Sequence, residues 1–95
     1  MSRRIILSPD AKADIYSAVR WYQRIDLNLA FRFTLETSAV LRRIAQFPYQ
    51  FPRGKGLVRR ALLKRFPYSV SFKLNEEGVF ILAVLHQRRG NGRRH

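Results

Sequence analysis

Residues 68–85 have the sequence YSVSFKLNEEGVFILAVL. From Tyr68 to Leu74, aromatic and aliphatic side chains alternate with serine and lysine, and this period of two predicts a strand with one buried face. Residues 75–78 predict a hairpin turn, and residues 79–85 are apolar throughout. Such an apolar run is typical of a central strand that is covered on both faces or shielded by a partner. The segment therefore predicts two antiparallel strands within a sheet.

A short strand and two helices are predicted before these strands. Residues 4–7 form an aliphatic strand, and a helix follows because Ser8 can cap it and Pro9 fits its first turn. Asp26 is predicted to cap a second helix, which must end before Pro48. Spacings of three and four residues predict the buried faces: Ala11, Ile15, Ala18, Val19, Tyr22 and Ile25 in the first helix, and Ala30, Phe33, Thr37, Val40, Leu41 and Ile44 in the second.

The order of these elements predicts the fold class. Residues 47–56 form a connector with two prolines and two glycines, and residues 58–64 are a further strand candidate. One strand, two helices and three strands predict an α+β fold in which a helical hairpin packs on one face of a mainly antiparallel sheet. A chain of 95 residues has room for a single domain, residues 1–95, in which residues 90–95 are expected to be a loose basic tail.

The charge of the chain is extreme and unevenly distributed. Nineteen Lys and Arg face six Asp and Glu, which gives a formal net charge of +13. Residues 1–36 hold six basic and four acidic groups, whereas residues 37–95 hold thirteen basic and two acidic groups. A positive field of this kind favours a polyanionic or acidic partner that docks on the second half of the chain.

Several classes of protein and site are disfavoured by composition. The absence of cysteine excludes disulfides, thiolate metal sites and cysteine nucleophiles, and it suits a reducing compartment. The longest apolar run has seven residues, far short of the roughly 20 that cross a bilayer, so we expect a cytoplasmic protein without a membrane partner. The carboxylates are scattered and the two histidines do not form a ligand set with them, so neither a metal site nor a cofactor is predicted.

Four motifs resemble those of the RelE/ParE toxin superfamily. They are Ser8-Pro9-x-Ala11-x-x-Asp14-Ile15 with Trp21-Tyr22, Ile44-x-x-Phe47-Pro48, Arg59-Arg60 with Arg65-Phe66-Pro67-Tyr68-x-Val70, and Ala83-Val84-x-His86-x-Arg88-Arg89. Their order and spacing cover about residues 5–89. The resemblance implies the fold described above and the role of a toxin in a type II toxin–antitoxin module. Such a toxin is held inactive in a hetero-oligomer with a cognate antitoxin, which we expect to be acidic.

The superfamily has two kinds of target. RelE-type toxins cut messenger RNA on the ribosome, whereas ParE-type toxins poison DNA gyrase. The Phe66-Pro67-Tyr68 strand and the His86-x-Arg88-Arg89 exit resemble the ParE-type, plasmid-stabilisation branch, which implies gyrase as the target. A RelE-like ribosome-dependent endonuclease is the alternative, and a non-toxic basic protein that binds nucleic acid is the second alternative.

Candidate site residues follow from charge and from this resemblance. Contact with the target or the antitoxin is predicted for Arg59, Arg60, Lys64, Arg65, Arg88 and Arg89. Arg59 and Arg60 are adjacent on a strand and must point to opposite sides, so at most one of them faces a given partner. RelE-type nucleases combine basic residues with a tyrosine or a histidine near the C-terminus. Because no tyrosine follows Tyr68 here, the resemblance implies His86 as the candidate general base if the protein is a nuclease. Relatives often have a proline and an aromatic residue after the arginine pair, where this chain has Gly90, Asn91 and Gly92.

Overall fold

The computed structural model describes residues 2–88. Its elements are β1 (Ile5–Leu7), α1 (Pro9–Ile25), α2 (Leu27–Gln46), a 3-10 turn (Pro48–Gln50), β2 (Arg59–Leu62), β3 (Tyr68–Asn75) and β4 (Gly78–His86). The four strands form one sheet in the order β1-β4-β3-β2. β1 runs parallel to β4, and the other two pairings are antiparallel. The predicted α+β class and the mainly antiparallel sheet are therefore confirmed.

The residues that begin and end the helices act as predicted. The Ser8 hydroxyl accepts a hydrogen bond from the Ala11 N–H at 2.9 Å, and Pro9 is the first helical residue. The Asp26 carboxylate accepts from the Asn28 N–H at 2.9 Å, while the Asp26 N–H closes α1 on the Tyr22 carbonyl. One residue therefore ends the first helix and caps the second, which makes the hairpin tight.

The prediction that Ile25 lies on the buried face of α1 is wrong. Its side chain is 61% exposed, whereas Tyr22, three residues earlier, is buried. Ile25 is the last residue of the helix, and the chain turns into α2 at Asp26. The apolar spacing of α1 therefore extends to Ile25 in the sequence, but no other element packs against the helix at that residue.

The hydrophobic core lies between the helical hairpin and one face of the sheet. Four rings form its aromatic centre, with centroid separations of 5.0 Å for Tyr22–Phe66, 5.4 Å for Phe33–Phe66 and 5.0 Å for Phe33–Tyr68. Aromatic pairs at these distances contribute beyond the area that they bury. The alternating aromatic residues of the second half of the chain are thus core residues.

β4 is central, but helices cover only one of its faces. Val79, Ile81 and Val84 are fully buried in the core. Phe80 and Leu85, which lie opposite Lys73 and Ser69, are only half-buried. The sequence analysis allowed two explanations for this apolar strand. The first, that other elements cover both of its faces, is wrong, because both helices lie on the same side of the sheet. Shielding by a partner remains a prediction.

The β3–β4 hairpin requires a glycine at its turn. Gly78 has φ near +149°, a backbone conformation that residues with a side chain rarely adopt. A Cβ atom there would also collide with the Arg4 carbonyl, which accepts a hydrogen bond from the Val79 N–H at 2.8 Å. Gly78 therefore lets the hairpin begin directly against the chain that enters β1.

Candidate functional site

An open depression of about 450 Å³ lies on the sheet face that the helices leave uncovered. It is lined by Arg60, Leu62, Ser69, Leu85, His86 and Gln87. Strand register brings these residues together, because Leu62 lies opposite Ser69 and Ser69 lies opposite Leu85. Serine is small, so the centre of the sheet forms a low floor between two leucines. Carboxylates are absent from this lining, which makes the depression a cationic site with apolar walls.

A bulge in β4 decides which residues face this depression. Phe72 lies opposite Ile81, whereas Ser71 lies opposite Ala83, so Leu82 is an extra residue in β4. Beyond the bulge, Val84 faces the core and Leu85 faces the depression. Bulges re-aim side chains near functional sites in many sheets.

The side chains of Ser8, which caps α1, and of Asp14 within α1 hold the bulged part of β4 in place. β1 ends at Leu7, opposite Ile81, so the rest of β4 has no strand on that side. The Ser8 hydroxyl donates to the Leu82 carbonyl at 3.0 Å, and the buried Asp14 carboxylate accepts from the Val84 N–H at 2.9 Å. These bonds satisfy backbone groups that a strand would otherwise satisfy, and they fix the path of β4 towards its end.

His86 lies at the end of β4 and forms part of the border of the depression that Arg60 also lines. It is paired with Tyr68, so its ring is on the core side of the sheet. Its ring packs edge-on against Tyr68, with centroids 5.1 Å apart, and its Nδ1 accepts the Arg88 N–H at 3.0 Å. The Gln87 N–H donates to the Pro67 carbonyl at 2.8 Å. The exit of the last strand is therefore tied back to the start of β3, and Arg88 leaves from a defined position.

Arg59 and Arg60 lie in different surroundings. The Arg59 guanidinium donates to the Phe51 carbonyl at 2.7 Å and stacks on Tyr49, with its Cζ atom 5.1 Å from the ring centroid. Arg60 is exposed and lines the depression. Arg59 thus stabilises the connector, and Arg60 is the member of the pair that lies at the depression.

Lys64 and Arg65 lie in the turn between β2 and β3, outside the lining of the depression. Both backbone N–H groups donate to the carboxylate of Glu36 on α2. Sequence reasoning missed Glu36, and its only signal was that it is the single acidic residue within α2. This contact joins the helical layer to the sheet and fixes the turn, while both basic side chains stay exposed.

Three further features of the sequence analysis are the C-terminal residues, a metal site and a membrane-spanning segment. Arg89 and the tail, residues 90–95, lie outside the described residues. Within residues 2–88, no three His, Asp or Glu side chains come together as ligands for a metal ion. Neither described helix is long and apolar enough to span a membrane.

The fold and motifs can now be compared with known proteins. The family model described as "ParE toxin of type II toxin-antitoxin system, parDE" matches residues 5–90. The chain belongs to the ParE toxin family. This confirms the resemblance to the RelE/ParE superfamily and places the chain in its ParE branch. No curated protein sequence is a significant match.

Among solved structures, the fold of this ParE-family chain is similar to that in the chromosomal ParDE TA system from P. aeruginosa. The two share 20% identity at a TM-score of 0.76, over 87% of this chain and 94% of the other. At that identity the likeness concerns the fold, namely two helices packed on a four-stranded mixed sheet. Membership of the ParE family identifies the chain as a toxin of a type II toxin–antitoxin system, for which an antitoxin is the partner.

Proposed function

We propose that this ParE-family toxin inhibits DNA gyrase through the end of β4 and is neutralised in the cytoplasm by a cognate acidic antitoxin. The observation that carries the proposal is the depression that Arg60 and His86 share at the exit of β4, with no carboxylate in its lining. A cationic site with apolar walls suits an acidic protein surface or the phosphates of a gyrase–DNA complex. A gyrase poison of this kind would also account for a role in plasmid stabilisation.

In this proposal, basic side chains at the depression and at the strand exit carry the contact with the target. Arg60 supplies a charge within the depression, and Arg88 adds a further positive charge just after the end of β4. Arg89 is the next residue in the sequence and is also basic. Leu62 and Leu85 supply apolar area that becomes buried on binding. Arg59, Lys64 and Arg65 are secondary candidates, because they lie outside the depression.

The first experiment is DNA supercoiling by purified gyrase, titrated with the toxin freed from its antitoxin. We expect inhibition with accumulation of cleaved DNA–gyrase complexes. Arg60→Ala and Arg88→Ala should each raise the half-inhibitory concentration by about tenfold, the effect of losing one charged contact worth ~1.4 kcal/mol. Arg32→Ala, which removes an exposed arginine from α2, is the matched control and should inhibit like wild type. A folded toxin that arrests growth without inhibiting gyrase would contradict the proposal.

A ribosome-dependent ribonuclease is the second candidate, because His86 and Arg60 line one depression. In this cleavage the 2′-hydroxyl loses its proton to a base and attacks the phosphorus, the bond to the 5′-oxygen breaks, and that oxygen takes a proton from solvent. His86 and Arg60 are of the types required for the base and for the cation that stabilises the phosphate charge. His86→Ala should then abolish messenger RNA cleavage on ribosomes while the fold is retained, as judged by circular dichroism. Cleavage that persists in this variant would remove His86 from the mechanism.

The second alternative, a non-toxic nucleic-acid-binding protein, is not proposed again, because membership of the ParE family identifies the chain as a toxin. Induced expression of this toxin in a bacterial host should arrest growth, and the antitoxin should reverse the arrest.

A further inference from the structure

Two arginines lie directly opposite each other where the connector folds back along β2. Arg53 forms an isolated antiparallel bridge with Arg59, the first residue of β2. Residues opposite each other in an antiparallel pair have Cα atoms about 5 Å apart and side chains on the same side. Like charges in this arrangement repel and destabilise the pair. An anion bound between the two guanidinium groups would remove this cost.

The loop that joins the two arginines has a defined form. The Gly54 N–H donates to the Val58 carbonyl at 2.8 Å, and the Val58 N–H donates to the Lys55 carbonyl at 3.3 Å. Gly56 has φ near +61°, a conformation that glycine adopts without strain. The loop therefore keeps the pair in register, and it carries Lys55 as a further exposed cation.

The Tyr49 ring contacts two guanidinium groups, one of them from the start of the chain. The Cζ atoms of Arg59 and Arg3 lie 5.1 Å and 5.4 Å from its centroid. The Arg3 N–H donates to the Ala45 carbonyl at 2.9 Å, which attaches this arginine to the end of α2. Arg59 uses one nitrogen for the Phe51 carbonyl, but a guanidinium group has five N–H donors. Both cations are thus held in place with donors left for a ligand.

An open cavity of about 250 Å³ lies beside these groups, and both members of the arginine pair line it. Tyr49, Leu57 and Leu74 complete the lining, which includes no carboxylate. The acidic residues 76 and 77 follow β3 and lie outside the lining. We name these groups together the Tyr49 cluster: Arg3, Tyr49, Arg53, Lys55, Leu57, Arg59 and Leu74.

The Tyr49 cluster is separate from the depression at the exit of β4. Ser69, near the start of β3, lines the depression, whereas Leu74, near the end of β3, lines the cavity. Five residues of extended strand span about 17 Å. Arg59 lies opposite the buried Phe72, so its side chain and that of Arg60 leave β2 on different faces of the sheet.

We propose that the Tyr49 cluster binds the phosphate backbone of double-stranded DNA. The proposal goes beyond gyrase inhibition, because the toxin would then hold DNA by itself. Guanidinium groups donate two parallel N–H bonds to a phosphate, and a duplex presents phosphates at regular intervals to cations held in fixed positions. Leu57 and Leu74 offer apolar surface to deoxyribose, which lacks the 2′-hydroxyl of RNA.

Single-stranded nucleic acid and acidic proteins fit the Tyr49 cluster less well. Proteins that bind single strands stack bases on aromatic rings, but the Tyr49 ring already contacts two guanidinium groups. Protein partners are anchored by large side chains in well-packed pockets, whereas this open cavity has only two leucines beside its ring and its cations.

The test measures dissociation constants for a fluorescein-labelled DNA duplex of about 20 base pairs by anisotropy, at salt concentrations from about 0.05 M to about 0.3 M. Arg53→Ala and Arg3→Ala should each weaken binding roughly eightfold at about 0.1 M salt and lower the slope of log affinity against log salt by about 0.9, because each removes one phosphate contact. Arg20→Ala is the matched control, since it also removes an arginine that lies over a tyrosine ring, and it should bind within about twofold of wild type.

The stability of the variants distinguishes lost binding from lost structure. Arg53→Ala should unfold at the temperature of wild type or above it, because the substitution relieves the repulsion between opposite arginines. A clear loss of stability would overturn the interpretation of the pair as a repulsion that an anion relieves.

Three results of the binding assay would overturn the proposal. Equal affinity of Arg53→Ala, Arg3→Ala and Arg20→Ala would show that the attraction is spread over the whole surface. Binding of a single-stranded oligonucleotide as tight as that of the duplex, with the same dependence on Arg53, would assign the cluster to single strands. Weaker binding of the antitoxin with unchanged affinity for DNA would assign it to a protein. Gyrase is absent from this assay, so DNA binding that depends on the cluster stands whether or not gyrase is the target.

Discussion

Three of the six carboxylates hold the backbone in place, despite the strongly basic composition. Asp14 accepts from the Val84 N–H, Asp26 from the Asn28 N–H, and Glu36 from the Lys64 and Arg65 N–H groups. These carboxylates therefore accept hydrogen bonds from backbone N–H groups that have no backbone acceptor within a helix or strand. Asp14 is the most demanding case, because both it and Val84 are buried.

The substitution Asp14→Ala, which removes the carboxylate, should destabilise the toxin more than Asp14→Asn, which removes only its charge. Asp14→Ala leaves a buried N–H without its acceptor, which costs roughly 1–3 kcal/mol, whereas Asp14→Asn keeps an oxygen that can accept. We therefore expect the order wild type, Asp14→Asn, Asp14→Ala in free energy of unfolding, measured with urea. Ala13→Ser, on the exposed side of α1, is a control for changes in that helix. Equal stability of Asp14→Ala and wild type would show that the bond contributes nothing.

At the scale of elements, the sequence was sufficient for both helices and for the succession of helices and strands along the chain. Capping residues and apolar spacing act locally, so Ser8, Asp26 and Pro48 predict helix ends that the structure confirms. Arg60 was predicted as a contact residue, but its place at the depression depends on how β2, β3 and β4 pair. Pairing outward from the turn at residues 75–78 would place Ser71 opposite Leu82.

The bulge in β4 shows why the candidate site could not be derived in full. Leu82 shifts the register, so Leu85 rather than Val84 lies opposite Ser69. A bulge cannot be predicted from an unbroken apolar run, because each apolar residue in it is suited to either face of the sheet. The bonds from Ser8 and Asp14 that accompany the shift join residues 70 or more positions apart.

At the scale of the whole molecule, several arginines make cation–π contacts with aromatic rings. Within residues 2–88, five guanidinium groups lie 5.1–6.0 Å from ring centroids: Arg3 and Arg59 over Tyr49, Arg20 over Tyr16, Arg24 over Trp21 and Arg43 over Phe51. Such contacts hold a cation at the surface without neutralising it. The net charge of +13 therefore remains available to attract an acidic partner.

This charge should be visible in the rate at which the antitoxin binds. Between about 0.05 M and about 0.5 M salt, the association rate constant should fall by roughly tenfold or more, because screening shortens the range of steering. The dissociation rate constant should change much less, since it reports close contacts. Stopped-flow fluorescence measures both, with sucrose at matched viscosity as the control. Association at one rate across this salt range would refute electrostatic steering.

The short first strand also bears on how the free toxin behaves in solution. A sheet edge with open peptide groups invites pairing with the edge of another molecule, which is a common route to aggregation. Ser8 and Asp14 occupy such groups on β4 with side chains, which a foreign strand cannot extend. On the far edge, the Arg60 N–H is already bonded to the Pro52 carbonyl of the connector. Part of the peptide groups near each edge of the sheet is thereby occupied, which leaves less backbone open to a foreign strand.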